Sequence, residues 1–341
     1  MKRWGAVLVL AVLFAAGVCG SWLQSELDTA YRGFEGSECF IVIPRGAGTR
    51  TIAASLKAQG VLRYELPFVL YVQWADLGRR LQAGEYRFAA PARPGEIARR
   101  LAEGDVFFRS VTVPEGLTAE ETVVLLAKHG FGDLKEMKAL LARTDWISDL
   151  DGGATSLEGY LFPETYRFSR RSTSEEVLKA MVSQFHRQIG FLLDKAPLPP
   201  GWNLSRIVIL ASMIEKEARI PEERRLVASV LVNRLRKRML LACDPTIIYA
   251  LKLAGTYDGN LRKVDLSLDS PYNSYLKPGL PPGPIANPGS ESLLAALTPA
   301  DSDYFYYVSR NDGTHVFSKD LRSHQQAVSR YQKRGREYPS P

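Results

Sequence analysis

Cysteine is scarce in this chain, with Cys19, Cys39 and Cys243 the only three in 341 residues. Three thiols make no disulfide framework, although Cys39 and Cys243 are free to pair in an oxidising compartment. Histidine is nearly as rare. His129, His186, His315 and His324 are scattered, outside any HExxH or CxxC context. The sequence therefore offers no metal-ligand cluster and calls for no cofactor. Each histidine reads as structural or surface. Net charge is a modest +7. It suits an acidic partner such as an anionic envelope surface, but no Lys/Arg run or aromatic motif points to nucleic acid, which is excluded as a partner. A hydrophobic fraction of 45% is enough for a real core, and the length implies about two domains plus extras.

Charge is absent altogether from Trp4 to Leu23, about the length that spans a bilayer. Lys2 and Arg3 precede this run, and Glu26 and Asp28 follow it. The positive-inside rule then puts the N-terminus in the cytoplasm and the rest of the chain outside. Trp4 and Trp22 sit at the two ends as interfacial anchors do. A cleaved signal peptide is the alternative, but the run is long for one and no small-x-small site precedes a polar start. Val18 is bulky for a lipoprotein signal at Cys19. Residues 1–25 are read as an uncleaved single-pass anchor in the cytoplasmic (inner) membrane, with an extracytoplasmic or periplasmic remainder.

An internal repeat follows. Ile43–Pro44–Arg45–Gly46, then Thr49, Ile52, Leu56 and Gly60, reappears as Val113–Pro114–Glu115–Gly116, then Ala119, Thr122, Leu126 and Gly130. Each copy predicts a strand, a Pro/Gly turn, a helix and a glycine stop. Helices near Leu66–Ala75 and Gly95–Glu103 and a strand at Gly84–Phe88 fall between them. Residues 36–150 are taken as one such module. Small βα units of this kind serve equally as a carbohydrate-binding scaffold or as a packing spacer. Residues 131–150 read as helical.

The stretch Leu204–Ala218 lacks glycine and proline and repeats apolar residues at helical spacing. Asn203 or Ser205 caps it, and Pro221 stops it. Apolar side chains cover most of its circumference, leaving a wedge at Ser212, Lys216 and Arg219. Two carboxylates on such a helix are costly unless paired or used. Glu215 falls at the edge of the wedge beside Val208 and Ala211, a setting that keeps a carboxyl protonated. Glu217 lies roughly 200° further round. Periodicity leaves both open to plain ion pairing, which is the commoner use of buried carboxylates.

Further along, Pro221 is read as opening a helix that runs to about Arg238. Asp244–Pro245–Thr246 caps a short helix. Residues 270–289 form a long loop too rich in aromatics and amides for an idle linker, with disorder as the alternative. Asn311–Asp312–Gly313 is the turn of a β-hairpin between Tyr304–Val308 and Thr314–Phe317. A last helix spans roughly Leu321–Tyr331, with a frayed tail beyond it.

Seven motifs occur in one order: LEGYLFPETY (157–166), LASMIEKE (210–217), VNRL (232–235), DPTIIY (244–249), SPYNSY (270–275), GLPPGPIANPG (279–289) and GTHVFS (313–318). In these the chain resembles the YceG-like (MltG) family of endolytic murein transglycosylases, over nearly everything from the anchor to the final helix. The resemblance implies an α+β protein: a transmembrane helix, a small LysM-like α/β module, and a mixed α+β catalytic domain over 155–335. It implies a lyase that cuts the MurNAc–GlcNAc bond of peptidoglycan glycan strands and leaves 1,6-anhydro ends, working beside peptidoglycan synthases. The catalytic glutamate it implies is the first of the EKE segment, Glu215, with Glu217 and Asp244 in structural support. Asn273, Tyr275 and Asn287, with Tyr160 and Glu158 behind them, are the expected sugar contacts. Cys243 stands where the family commonly has a polar residue, and Glu164 where Asp is frequent. Two rivals remain: a glycan-holding scaffold without turnover, and a hydrolase needing a second carboxylate from Glu158 or Asp244.

Overall fold

The computed structural model describes residues 2–333. They form a mixed α+β chain that clusters into two compact units, Met1–Arg109 with Arg167–Arg171, and Ser110–Tyr166 with Ser172–Pro341. Helix α1 (Lys2–Asp28) opens the first. Its stretch Leu10–Asp28 is long and apolar enough to cross a membrane, and none of it is buried in the protein. The side chains of Lys2, Arg3 and Trp4 fall outside what is described, as does the expected frayed tail from residue 334.

In the first unit β1 (Cys39–Ile43) leads to α2 (Thr49–Ala58), α3 (Glu65–Trp74), β2 (Gly84–Phe88) and α4 (Pro94–Glu103). β1 and β2 pair antiparallel, Cys39 opposite Phe88 and Ile43 opposite Gly84. The two-residue period of the strands turns Ile41, Ile43, Tyr86 and Phe88 inward. There they meet Leu56, Phe68, Val72, Ile97 and Leu101. Each such side chain contributes about 1.5–3 kcal/mol by leaving water.

The chain enters the second unit along β3 (Arg109–Thr112), then forms α5 (Ala119–Lys128), α6 (Leu134–Leu140) and β4 (Thr165–Phe168), which pairs with β3. Next come α7 (Ser174–Lys195), α8 (Leu204–Glu217), α9 (Arg224–Arg236), α10 (Asp244–Leu253) and α11 (Ser290–Leu297). The chain closes with β5 (Tyr306–Ser309), β6 (His315–Ser318) and α12 (Leu321–Val328). Helix α8 is the hub, packed against α9, α10 and α11. The span expected to be helical over 131–150 is broken: α6 stops at Leu140, and only a 3-10 turn, Thr144–Ile147, follows. Likewise Pro221–Glu223 is a 3-10 turn, and α9 begins only at Arg224.

The repeat is visible in the backbone. Gly46 and Gly116 both have φ +77°, and Gly60 and Gly130 both +73°, the left-handed region that glycine enters without steric cost. The two copies nevertheless belong to different units, so the expected 36–150 module divides between Arg109 and Ser110. The reason is burial. Helix α5 hides Ala119, Thr122, Val123 and Leu126 and packs on α6, while Leu117 and Thr122 bond the distant Asn287.

Candidate active site

Helix α8 starts where Asn203 accepts a hydrogen bond from the Arg206 N–H at 3.0 Å, an N-cap of the usual kind. Every residue from Ile207 to Ile214 is buried. The wet wedge expected at Ser212 is closed: its hydroxyl donates to Ile209 O at 2.7 Å and accepts from the Ile285 N–H at 3.0 Å. Helical geometry ends at Glu217, since Ala218 is already extended at φ −88°, ψ 109°.

Glu215 does not face an opening. One of its oxygens accepts from the Gly289 N–H at 3.0 Å, and the other lies 3.6 Å from the Arg224 guanidinium. Its side chain is only 7% exposed and that of Arg224 12%. Arg224 also reaches Glu115 at 3.5 Å. Burial and the Glu215 charge raise the Glu115 carboxyl above its ordinary value, against the pull of Arg224. Glu215 thus has both oxygens committed inside a carboxylate–guanidinium–carboxylate cluster. The half-apolar opening suggested by the helical wheel is filled by Arg224 and by the start of α11.

Glu217, two residues on, stands on the wall of a groove of about 400 Å³ lined by Lys216, Arg219, Asp244, Ile248, Asn311 and His315, among others. That volume lies within the range of about 300–1,000 Å³ usual for ligand sites. Three elements build the wall. The end of α8 supplies Glu217. The first turn of α10 supplies Asp244, at a position where free N–H groups favour negative charge. The β5–β6 hairpin supplies the rest, with Ser309 opposite His315 and Tyr307 opposite Phe317. Residues two apart on a strand share a face, which sets Tyr307 and Ser309 together. Asn311 at φ +67° and Gly313 at φ +93° turn the hairpin, and Asp312 fixes it by accepting from the Thr314 N–H at 2.9 Å.

The Glu217 carboxyl is pushed up to about 7. Burial is the main cause and the Asp244 charge adds to it, while hydrogen bonds from Tyr307 and Cys243 and the Arg234 charge pull the other way. The negative end of α8 disfavours a carboxylate in the same sense as burial. Burial also pushes the Cys243 thiol and the Tyr307 phenol well up, so both stay protonated as donors. Cys19, Cys39 and Cys243 are all free thiols in the structure, and Cys243 is buried.

Of the expected sugar contacts, Tyr275 alone reaches the groove's own groups, its hydroxyl donating to Asp244 at 2.6 Å. Asn273 is buried: its amide donates to Leu266 O and Leu268 O and accepts from the Tyr275 N–H. Asn287 is buried as well. It accepts from the Gly159 and Leu161 N–H groups and donates to Leu117 O. The buried Tyr160 gives its hydroxyl to Asp151 at 2.8 Å. Glu158 accepts from the Ala119 N–H at 2.9 Å and the Tyr249 hydroxyl at 3.2 Å, and burial raises its carboxyl to about 8. These four groups spend their polar atoms on folding residues 117–161 and 266–289 against the rest of the unit, leaving none for a sugar. Glu158 is equally removed as a second carboxylate for hydrolysis. The loop 270–289 is ordered, with Ile285, Ala286 and Asn287 in the core.

Sequence reasoning passed over His315, Asn311 and Tyr307. His315 is held by Glu223, which takes its N–H at 3.0 Å and its Nδ1 at 2.7 Å. The GTHVFS motif was the available signal, but its histidine reads as surface until the hairpin is folded.

A model of the YceG-like family matches residues 41–330. The chain is 34% identical over 307 residues to a Bacillus subtilis (strain 168) protein named endolytic murein transglycosylase, covering 85% of this chain and 84% of that one. A protein of the same name from Streptococcus pneumoniae (strain ATCC BAA-255 / R6) is 26% identical, covering 95% of this chain and 64% of the longer relative. A crystal structure of a YceG-like protein from Listeria monocytogenes, 29% identical, aligns with a TM-score of 0.56 over 85% of this chain and 98% of that one.

Proposed function

The chain belongs to the YceG-like family, and we propose that it is an endolytic murein transglycosylase whose catalytic acid is Glu217. The observation that carries the choice is that Glu217 lines the open groove with its carboxyl near 7, whereas Glu215 is held by Arg224 and Gly289. The roles read from the sequence are therefore exchanged: Glu215 supports the fold, and Glu217 performs the chemistry.

A glycan strand lies along the groove with a MurNAc–GlcNAc linkage over Glu217. The protonated carboxyl donates to the linking oxygen, the C1–O bond breaks, and an oxocarbenium-like MurNAc forms. The resulting Glu217 carboxylate takes the proton from the MurNAc C6 hydroxyl, whose oxygen closes on C1. The products are a GlcNAc 4-hydroxyl and a 1,6-anhydro-MurNAc end, and the acid is restored. Water takes no part, so one carboxyl suffices where ordinary glycosidases need two. Tyr307 and Cys243 hold the carboxylate between the two proton transfers. Asp244, fixed by Tyr275, keeps the carboxyl protonated beforehand.

Around this site, α1 is read as an anchor with its N-terminus in the cytoplasm. The β1–α2–α3–β2 arrangement supports a LysM-like module that holds glycan. An enzyme so anchored meets strands as they emerge from peptidoglycan synthases at the membrane and limits their length.

The test is the chemistry of the ends formed from uncrosslinked glycan. Anhydro ends should appear with the parental chain and not with Glu217→Gln. One observation favours hydrolysis instead: Asp244 shares the groove with Glu217 and is a second carboxylate able to activate water. Digestion in ¹⁸O-water separates the two, since label in the new ends would establish the hydrolase.

A further inference from the structure

A second cavity, of about 610 Å³, lies wholly within the first unit, where the last turn of α1 meets α3 and α4. Its apolar wall is Leu23, Leu27, Leu70, Tyr71 and Trp74, and Arg93 and Arg99 stand at its rim. Trp74 is 82% exposed and Leu66 52%. Leu66, Leu70 and Trp74 follow one another at four-residue spacing, so they form one stripe along α3. A tryptophan this bare at the end of an apolar stripe is rare on a surface facing water alone.

The charges beside the cavity are unevenly engaged. Asp28 accepts from Gln24 at 2.7 Å, and Glu96 accepts the Arg93 N–H at 2.9 Å to cap α4. The Arg93 and Arg99 guanidiniums form no ion pair with any described carboxylate; Arg99 makes only a 3.3 Å bond to Gly95 O. Two guanidiniums without an ion pair, lining an apolar hollow, suit a phosphate carrying an apolar tail.

Position identifies the tail. The apolar run of α1 ends at Leu23, and the cavity is lined by residues up to Asp28. At about 1.5 Å per residue that is roughly 7 Å beyond the hydrocarbon edge, which is the depth of the headgroup layer. Trp22 packs edge-on to Tyr64 with ring centroids 5.5 Å apart, adding two aromatics of the kind that settle at that depth. We propose that this cavity is a phospholipid site. An anionic glycerophospholipid of the leaflet facing the first unit sets its phosphate on Arg93 and Arg99 and its upper acyl chain against Leu70 and Trp74. The site rests on the reading of α1 as a membrane anchor.

The experiment uses the full chain in nanodiscs of phosphatidylglycerol and phosphatidylethanolamine, with a benzophenone amino acid in place of Trp74 and, separately, of Leu13. Both probes should give phospholipid adducts by mass spectrometry, with phosphatidylglycerol enriched at position 74. Arg93→Glu with Arg99→Glu should cut the position-74 adduct about thirtyfold, as loss of two cations beside an anionic surface implies. The Leu13 adduct and glycan cleavage in detergent should not change. An adduct at 13 with none at 74 overturns the lipid site while leaving the anchor intact. No adduct at 13 overturns the anchor reading and the site with it. A position-74 adduct indifferent to the charge reversals, or to lipid headgroup, overturns the role given to the two arginines.

Discussion

The Arg224 guanidinium stands 3.6 Å from the Glu215 carboxylate, and Gly289 closes on the other oxygen. Two residues along the same helix, Glu217 faces a groove instead. Removing each carboxyl should therefore have opposite signatures. Glu217→Gln should lower the rate of strand cleavage by about 10²–10⁴-fold, the usual worth of a general acid, with an unchanged melting temperature. Glu215→Gln strips a buried partner from Arg224, at a cost of about 1–3 kcal/mol, and should lower the melting temperature by a few degrees while folded protein keeps most of its activity. Kinetics and thermal melts on the two proteins decide it; the reverse pattern would restore Glu215 as the acid.

The pH profile offers a signed test. Glu217 must enter the reaction protonated, so kcat/KM should fall as pH rises through about 7. Tyr307→Phe deletes a hydrogen bond that holds this carboxyl down, so the falling limb should move to higher pH. Asp244→Asn deletes a charge that holds it up, so the limb should move to lower pH. Rates measured over roughly two pH units either side of the raised Glu217 titration at about 7 suffice. Shifts in one common direction would remove these two residues from around the acid.

Glu158 governs stability rather than rate. Burial holds its carboxyl at about 8 against an ordinary 4.5, so between those values the folded chain keeps a proton that the unfolded chain releases. Its stabilising contribution is whole below about 4.5 and is lost as pH rises towards 8, at up to about 1.4 kcal/mol per pH unit. Glu158→Gln cannot ionise and should flatten the fall in stability across that window in denaturant titrations. An unchanged slope would mean that Glu158 is already ionised in the native state.

Asn287→Ala should be among the more destabilising single changes in the second unit. It leaves the Gly159 and Leu161 N–H groups without their acceptor, at about 1–3 kcal/mol for each buried group left unpaired, while Leu117 O keeps the Asn287 backbone N–H. Loss of activity should follow loss of folded protein. A variant that kept its melting temperature but lost affinity for glycan would return Asn287 to the groove.

The sequence by itself determined the local structure and the lineage. Apolar periodicity along Leu204–Ala218 marked a helix buried over most of its circumference, the paired glycines marked the two repeat turns, and Asn-Asp-Gly marked the hairpin. These signals survive because each acts over a few residues. The lineage was legible in seven motifs, the EKE segment among them.

Which glutamate of that segment meets the groove was decided by the tertiary structure alone. On a helix covered on every side, a wheel cannot tell the face that packs under Arg224 and α11 from the end that opens beside Asp244 and the β5–β6 hairpin. Those neighbours arrive from residues 224, 244, 289 and 307–315, and desolvation, charge and hydrogen bonding act through space rather than along the chain. The same holds for Asn273, Asn287, Tyr160 and Glu158. Their chemistry fits a sugar site as well as a buried joint, and only their final partners separate the two.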